Sequence, residues 1–79
     1  MSLIDTAPNS SDCENNLRLA CAAELEAQSH YRELKAKVQL TEMEADKKED
    51  IIRRLDEIIK DEEEHFGSLL FCLNLLNPD

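Results

Sequence analysis

Three side chains in this sequence have types and spacings suited to holding a metal ion. Glu62 and His65 form Glu-x-x-His. Three apart on a helix, they share one face, so a carboxylate oxygen and an imidazole nitrogen can meet a single ion. That donor pair suits iron or manganese. Glu24 is the third. Each of them interrupts a row of otherwise apolar residues. A charged group in such a row is costly unless it is paired or coordinates a metal. Glu-x-x-His alone arises often by chance, and it is the combination with Glu24 that gives it weight.

The rows themselves define the elements. Leu17, Ala20, Glu24, Ala27, Tyr31, Leu34, Val38, Thr41 and Ala45 are spaced alternately three and four, the pattern of a helix packed along its length. Ile51, Leu55, Ile58, Glu62, His65, Leu69, Cys72 and Leu76 repeat it, widened by Ile52, Ile59, Phe66, Leu70 and Leu73. So broad a stripe suits a bundle, in which each helix faces two neighbours. Residues 1–11 read as a flexible tail. A capping box of Ser11 with Glu14 starts helix 1, which spans about 12–43. A turn lies within 41–47, where Thr41 with Glu44 and Asp46 with Glu49 offer two further boxes. Helix 2 spans about 47–76 and stops at Asn77-Pro78. The competing reading is one uninterrupted helix, which places Lys48 on the seam.

In an antiparallel hairpin, residues at equal height are symmetric about the turn. The point midway between Glu24 and the Glu62–His65 pair falls at residues 43–44, inside the turn chosen from composition and caps. Glu24 therefore stands level with Glu62 and His65. One hairpin offers two carboxylates and one imidazole, and two hairpins about a twofold axis offer four and two. The expected fold is all-α: a two-helix hairpin that dimerises into a four-helix bundle. The chain has 79 residues, and a single domain of that size buries a limited core alone.

The net charge of −9, from 18 acidic and 9 basic residues, argues against nucleic acid. No apolar stretch is long enough to span a membrane. Cys13, Cys21 and Cys72 are odd in number and form no Cys-x-x-Cys pair, which points to reduced thiols in a cytoplasmic setting. No signal peptide is visible. Lys47, Lys48, Arg53 and Arg54 are expected to pair locally with Glu49, Asp50, Asp56 and Glu57.

With these residues in view, the sequence resembles the ferritin-like superfamily. Ala23-Glu24-Leu25-Glu26-Ala27 followed by Tyr31 looks like the first-helix ligand segment. Asp61-Glu62-Glu63-Glu64-His65 looks like the second-helix segment of rubrerythrins and encapsulated ferritins. The single hairpin is most similar to the encapsulated ferritins. The resemblance covers roughly residues 17–76. It implies a di-iron carboxylate centre shared across a homodimer, with Glu24, Glu62 and His65 as ligands and a Glu62 pair bridging. It also implies ferroxidase activity, with dioxygen or peroxide as oxidant. Tyr31 would lie close by, its hydroxyl bonded to a ligand or water. Glu26 would take the place of an outer iron-uptake acid. His30 points away from the seam; with Glu26 one turn earlier it is expected to form a solvated surface pair, the other reading being a site for a stray ion. Delivery into an encapsulin shell is a further implication, and the spare apolar surface of helix 2 would allow larger rings of dimers. The separation of Glu24 and Glu62 is longer than is usual in that family, and no shell-docking extension is visible after helix 2. The alternative is a non-catalytic acidic hairpin that serves assembly or as an adaptor.

Overall fold

Two runs rich in alanine, leucine, glutamate and lysine, with Gly67 the sole glycine, favour helix. The computed structural model describes residues 10–77. Helix α1 runs Ser10–Leu40 and α2 runs Ala45–Leu76, and the two pack against each other. No strand occurs among the described residues. Ion pairs of Arg32 with Glu63 and Lys35 with Asp56 fix the antiparallel sense. The four-residue link 41–44 rules out the single continuous helix. Among the described residues no helix is long and apolar enough to cross a membrane.

The helix ends differ from the expected caps. Residues 1–9 of the expected tail lie outside the described residues, while Ser10 and Ser11 belong to α1. Ser11 is therefore not a cap, and Glu14 instead accepts from Arg18 at 2.7 and 3.1 Å. Helix α1 stops at Leu40, short of residue 43, because Thr41 turns back on it. The Thr41 hydroxyl donates to the Lys37 carbonyl at 2.7 Å, and its N–H to that of Val38 at 3.2 Å. The ammonium of Lys48 donates to the Gln39 carbonyl at 3.2 Å. A cation on the last carbonyls complements the helix dipole. Glu44 sits at the N-cap of α2 without a side-chain cap bond. Neither the Thr41–Glu44 nor the Asp46–Glu49 box forms there. Thr41 is committed to α1, and Asp46 lies past the cap, in the first turn of α2.

The seam keeps Leu17, Glu24, Tyr31 and Val38 of α1 and Leu55, Glu62 and Leu69 of α2 as expected, while the positions between them shift by one residue. Among the described residues, Cys21 and Gln28 of α1 and Leu55 and Ile59 of α2 are the buried side chains. The row through them runs Leu17, Cys21, Glu24, Gln28, Tyr31, Lys35 and Val38, facing Ile52, Leu55, Ile59, Glu62, Phe66, Leu69 and Leu73. The period is as expected, but α2 carries two adjacent apolar sets, and the hairpin closes on Ile52, Ile59, Phe66 and Leu73. Ile51 (38% exposed), Ile58, His65 and Cys72, each seven residues from the next, remain open to solvent, as does Leu34 of α1.

The expected local pairing is found at Asp50 among the described residues. Arg53 and Arg54 both reach Asp50, while Asp56 is drawn across the hairpin to Lys35. The guanidinium of Arg54, bonded to Asp50, holds that carboxyl below its usual range, and Arg53 adds to the effect. Arg18 does the same for Glu14, helped by the Asn77 side chain at the open end.

Candidate metal centre

Glu24 lies within one residue of the midpoint of α1, and Glu62 within two of the midpoint of α2. Burial of Cys21 and Gln28 turns the Glu24 face of α1 toward α2. Burial of Leu55 and Ile59 does the same for Glu62. The result is convergence: Glu24, Glu62 and His65 each present a ligand atom within 4.8 Å of the other two. His65 Nδ1 stands 3.8 Å from Glu24 Oε2, too far for a hydrogen bond. Glu24 Oε2 is buried and accepts no hydrogen bond.

The cluster has a floor and a rim. The Glu24 side chain is 23% exposed and that of His65 62% exposed. Glu62 is half-buried. Among the described residues, neither ligand carboxylate pairs with a lysine or arginine. Arg32 and Lys35 are held on the far flank by Glu63 and Asp56, which share a stripe on α2 opposite that of His65. Two carboxylates and an imidazole with no compensating cation form a hard-to-borderline donor set, suited to iron or manganese. Cys21 lies on the same seam one turn before Glu24, yet its thiol is not among the converging groups.

The other expected site residues stand apart. Tyr31 is half-buried on the seam, seven residues and about 10 Å of helix beyond Glu24. No hydrogen bond ties its hydroxyl to Glu24, Glu62 or His65. Glu26 and His30 approach each other at 3.7 Å, both well exposed on α1, and do not join the cluster. Gln28 was not anticipated. It is 6% exposed, four residues after Glu24, and accepts from Arg32. The alternating spacing of Cys21, Glu24, Gln28 and Tyr31 is the signal that would have found it.

No protein-family model matches this sequence, and no curated protein or solved structure matches it. The functional reading therefore stands on the site. Three ligands leave an iron or manganese ion with open positions. The more exposed of them, His65, lies on the solvent-facing row of Ile51, Ile58 and Cys72.

Proposed function

We propose that the chain is a ferritin-like di-iron protein that oxidises Fe(II) at a site shared by two hairpins. The observation that carries it is the buried, unpartnered Glu24 Oε2 beside Glu62 and His65. A buried carboxylate oxygen without a donor is unfavourable, and a cation relieves it. Two features support a shared site. His65, at the rim of the cluster, lies on an uncovered apolar row, and the three groups lie near mid-length in both helices. A perpendicular twofold axis at that level would bring two such clusters together with the hairpin ends flush. The combined set, one Glu from each of two helices and Glu-x-x-His from each of the others, is the ligand set of the di-iron carboxylate bundles.

Fe(II) is then substrate as well as ligand partner. Two ions release one electron each, enough to reduce dioxygen to peroxide or peroxide to water. Glu24 and Glu62 supply negative charge that favours Fe(III) over Fe(II), and His65 provides a neutral donor at the rim. Manganese fits the same donors. Anaerobic Fe(II) titration with metal analysis tests the reading. About one iron per chain is expected, lost in Glu62→Ala and His65→Ala. Absence of binding, or binding indifferent to both substitutions, leaves the acidic hairpin as an assembly or adaptor module instead.

A further inference from the structure

Gln28 is the buried polar side chain of the seam, and the centre described above makes no use of it. It lies four residues after Glu24 on the same helix. Side chains four apart are neighbours, and a glutamine amide so placed is a ready donor to a carboxylate. Here that bond is not made. Gln28 Oε1 accepts from Arg32 Nη1 at 3.3 Å, and Arg32 Nη2 donates to Glu63 Oε1 at 2.8 Å across the hairpin. Glu24 Oε2, one turn away, is buried and accepts nothing.

We propose that Arg32 is a positioning residue: by holding Gln28 and anchoring on Glu63, it keeps the Gln28 amide off Glu24 and leaves Glu24 Oε2 open to a metal ion. The inference rests on the metal reading and adds what keeps that ligand available. An amide bonded to Glu24 Oε2 occupies one of that oxygen's lone pairs and withdraws charge from it, so it competes with a cation for the oxygen and lowers affinity. The task suits arginine, whose planar fork bonds two acceptors at once. Glu63 draws the guanidinium to the flank away from His65, where its charge does not neutralise the ligand carboxylates.

Arg32→Met keeps the apolar stem and removes the donors, and circular dichroism confirms an intact hairpin. In the metal-free variant, the Gln28 side-chain amide protons move downfield in NMR spectra. Adding Glu24→Ala abolishes the shift. In Co(II) calorimetry the dissociation constant rises about tenfold in Arg32→Met. It returns toward the original value in Arg32→Met/Gln28→Leu, where no amide competes. Glu63→Gln, which still offers Arg32 an acceptor, changes it by about twofold or less. An arginine that merely braces the helices gives another pattern: the loss in Arg32→Met persists in Arg32→Met/Gln28→Leu. That pattern, or an unmoved Gln28 amide, overturns the proposal. If the unmodified protein takes up no cobalt, the metal reading falls separately, and the amide shift still decides where Gln28 is held.

Discussion

A carboxylate oxygen buried without a donor, as Glu24 Oε2 is, lowers the stability of the metal-free hairpin. Its neighbours on the seam, Cys21 and Gln28, are buried beside it. An apolar side chain of similar reach would pack there without that penalty. Glu24→Leu is therefore expected to raise metal-free stability by about 1–3 kcal/mol. The same change should abolish metal binding. Urea denaturation of the apo-protein, read alongside metal uptake, checks both halves. Destabilisation by Glu24→Leu would mean that the carboxylate serves packing, not coordination. His65 differs, because its side chain is largely exposed and its loss should leave the isolated hairpin almost as stable.

At the scale of the helices, the ends are secured by charge more than by caps. Asp50, held by Arg54 and Arg53, lies in the second turn of α2, and Glu14, held by Arg18 and Asn77, lies at the open end. Both carboxyls are depressed in the folded protein. Their stabilising contribution is complete above the ordinary values of 3.8 for Asp50 and 4.5 for Glu14. It is lost as pH falls through the lower folded values. The urea midpoint of Glu14→Gln/Asp50→Asn should therefore fall less between pH 5 and pH 2 than that of the unmodified chain. Parallel acid limbs would show that these pairs contribute nothing. Since both pairs lie at the surface, the difference should shrink further in high salt.

For the whole molecule, the main fact is an apolar row that the hairpin does not use. Ile51, Ile58 and Leu76 are 37–38% exposed, and Leu34 46%. His65 and Cys72 complete the row on α2. If two hairpins meet there, Ile58→Asp should cost a single hairpin little, about 0.5 kcal/mol. It should prevent the dimer that Co(II) or Fe(II) otherwise promotes, because metal that binds only the dimer favours it by mass action. Light scattering with and without metal reads this directly. A dimer that persists in Ile58→Asp would place the contact elsewhere, with Phe71 and Leu75 on the outer side of α2 the next surface to test.

The alternating apolar spacing, the scarcity of glycine and proline, and the solvated stretch around residues 41–47 were enough to read two helices and a turn. They also sufficed to bring Glu24 level with Glu62 and His65, because height in a hairpin depends only on distance from the turn. Rotation about each helix axis was not legible in the same way. On α2 two adjacent apolar sets have the same period and hydrophobicity alone does not choose between them; on α1 it favours Ala27 and Leu34 over the Gln28 and Lys35 that the seam takes. Packing chose Cys21 and Gln28 over Ala20 and Ala27, and Ile52, Ile59 and Phe66 over Ile51, Ile58 and His65. That choice left His65 at the rim, buried Gln28 beside Glu24, and sent Arg32 and Lys35 to the opposite flank. The donor types of the cluster were written in the chain. Which oxygen stays unpartnered, and which face stays uncovered, depended on how the two helices turned against each other.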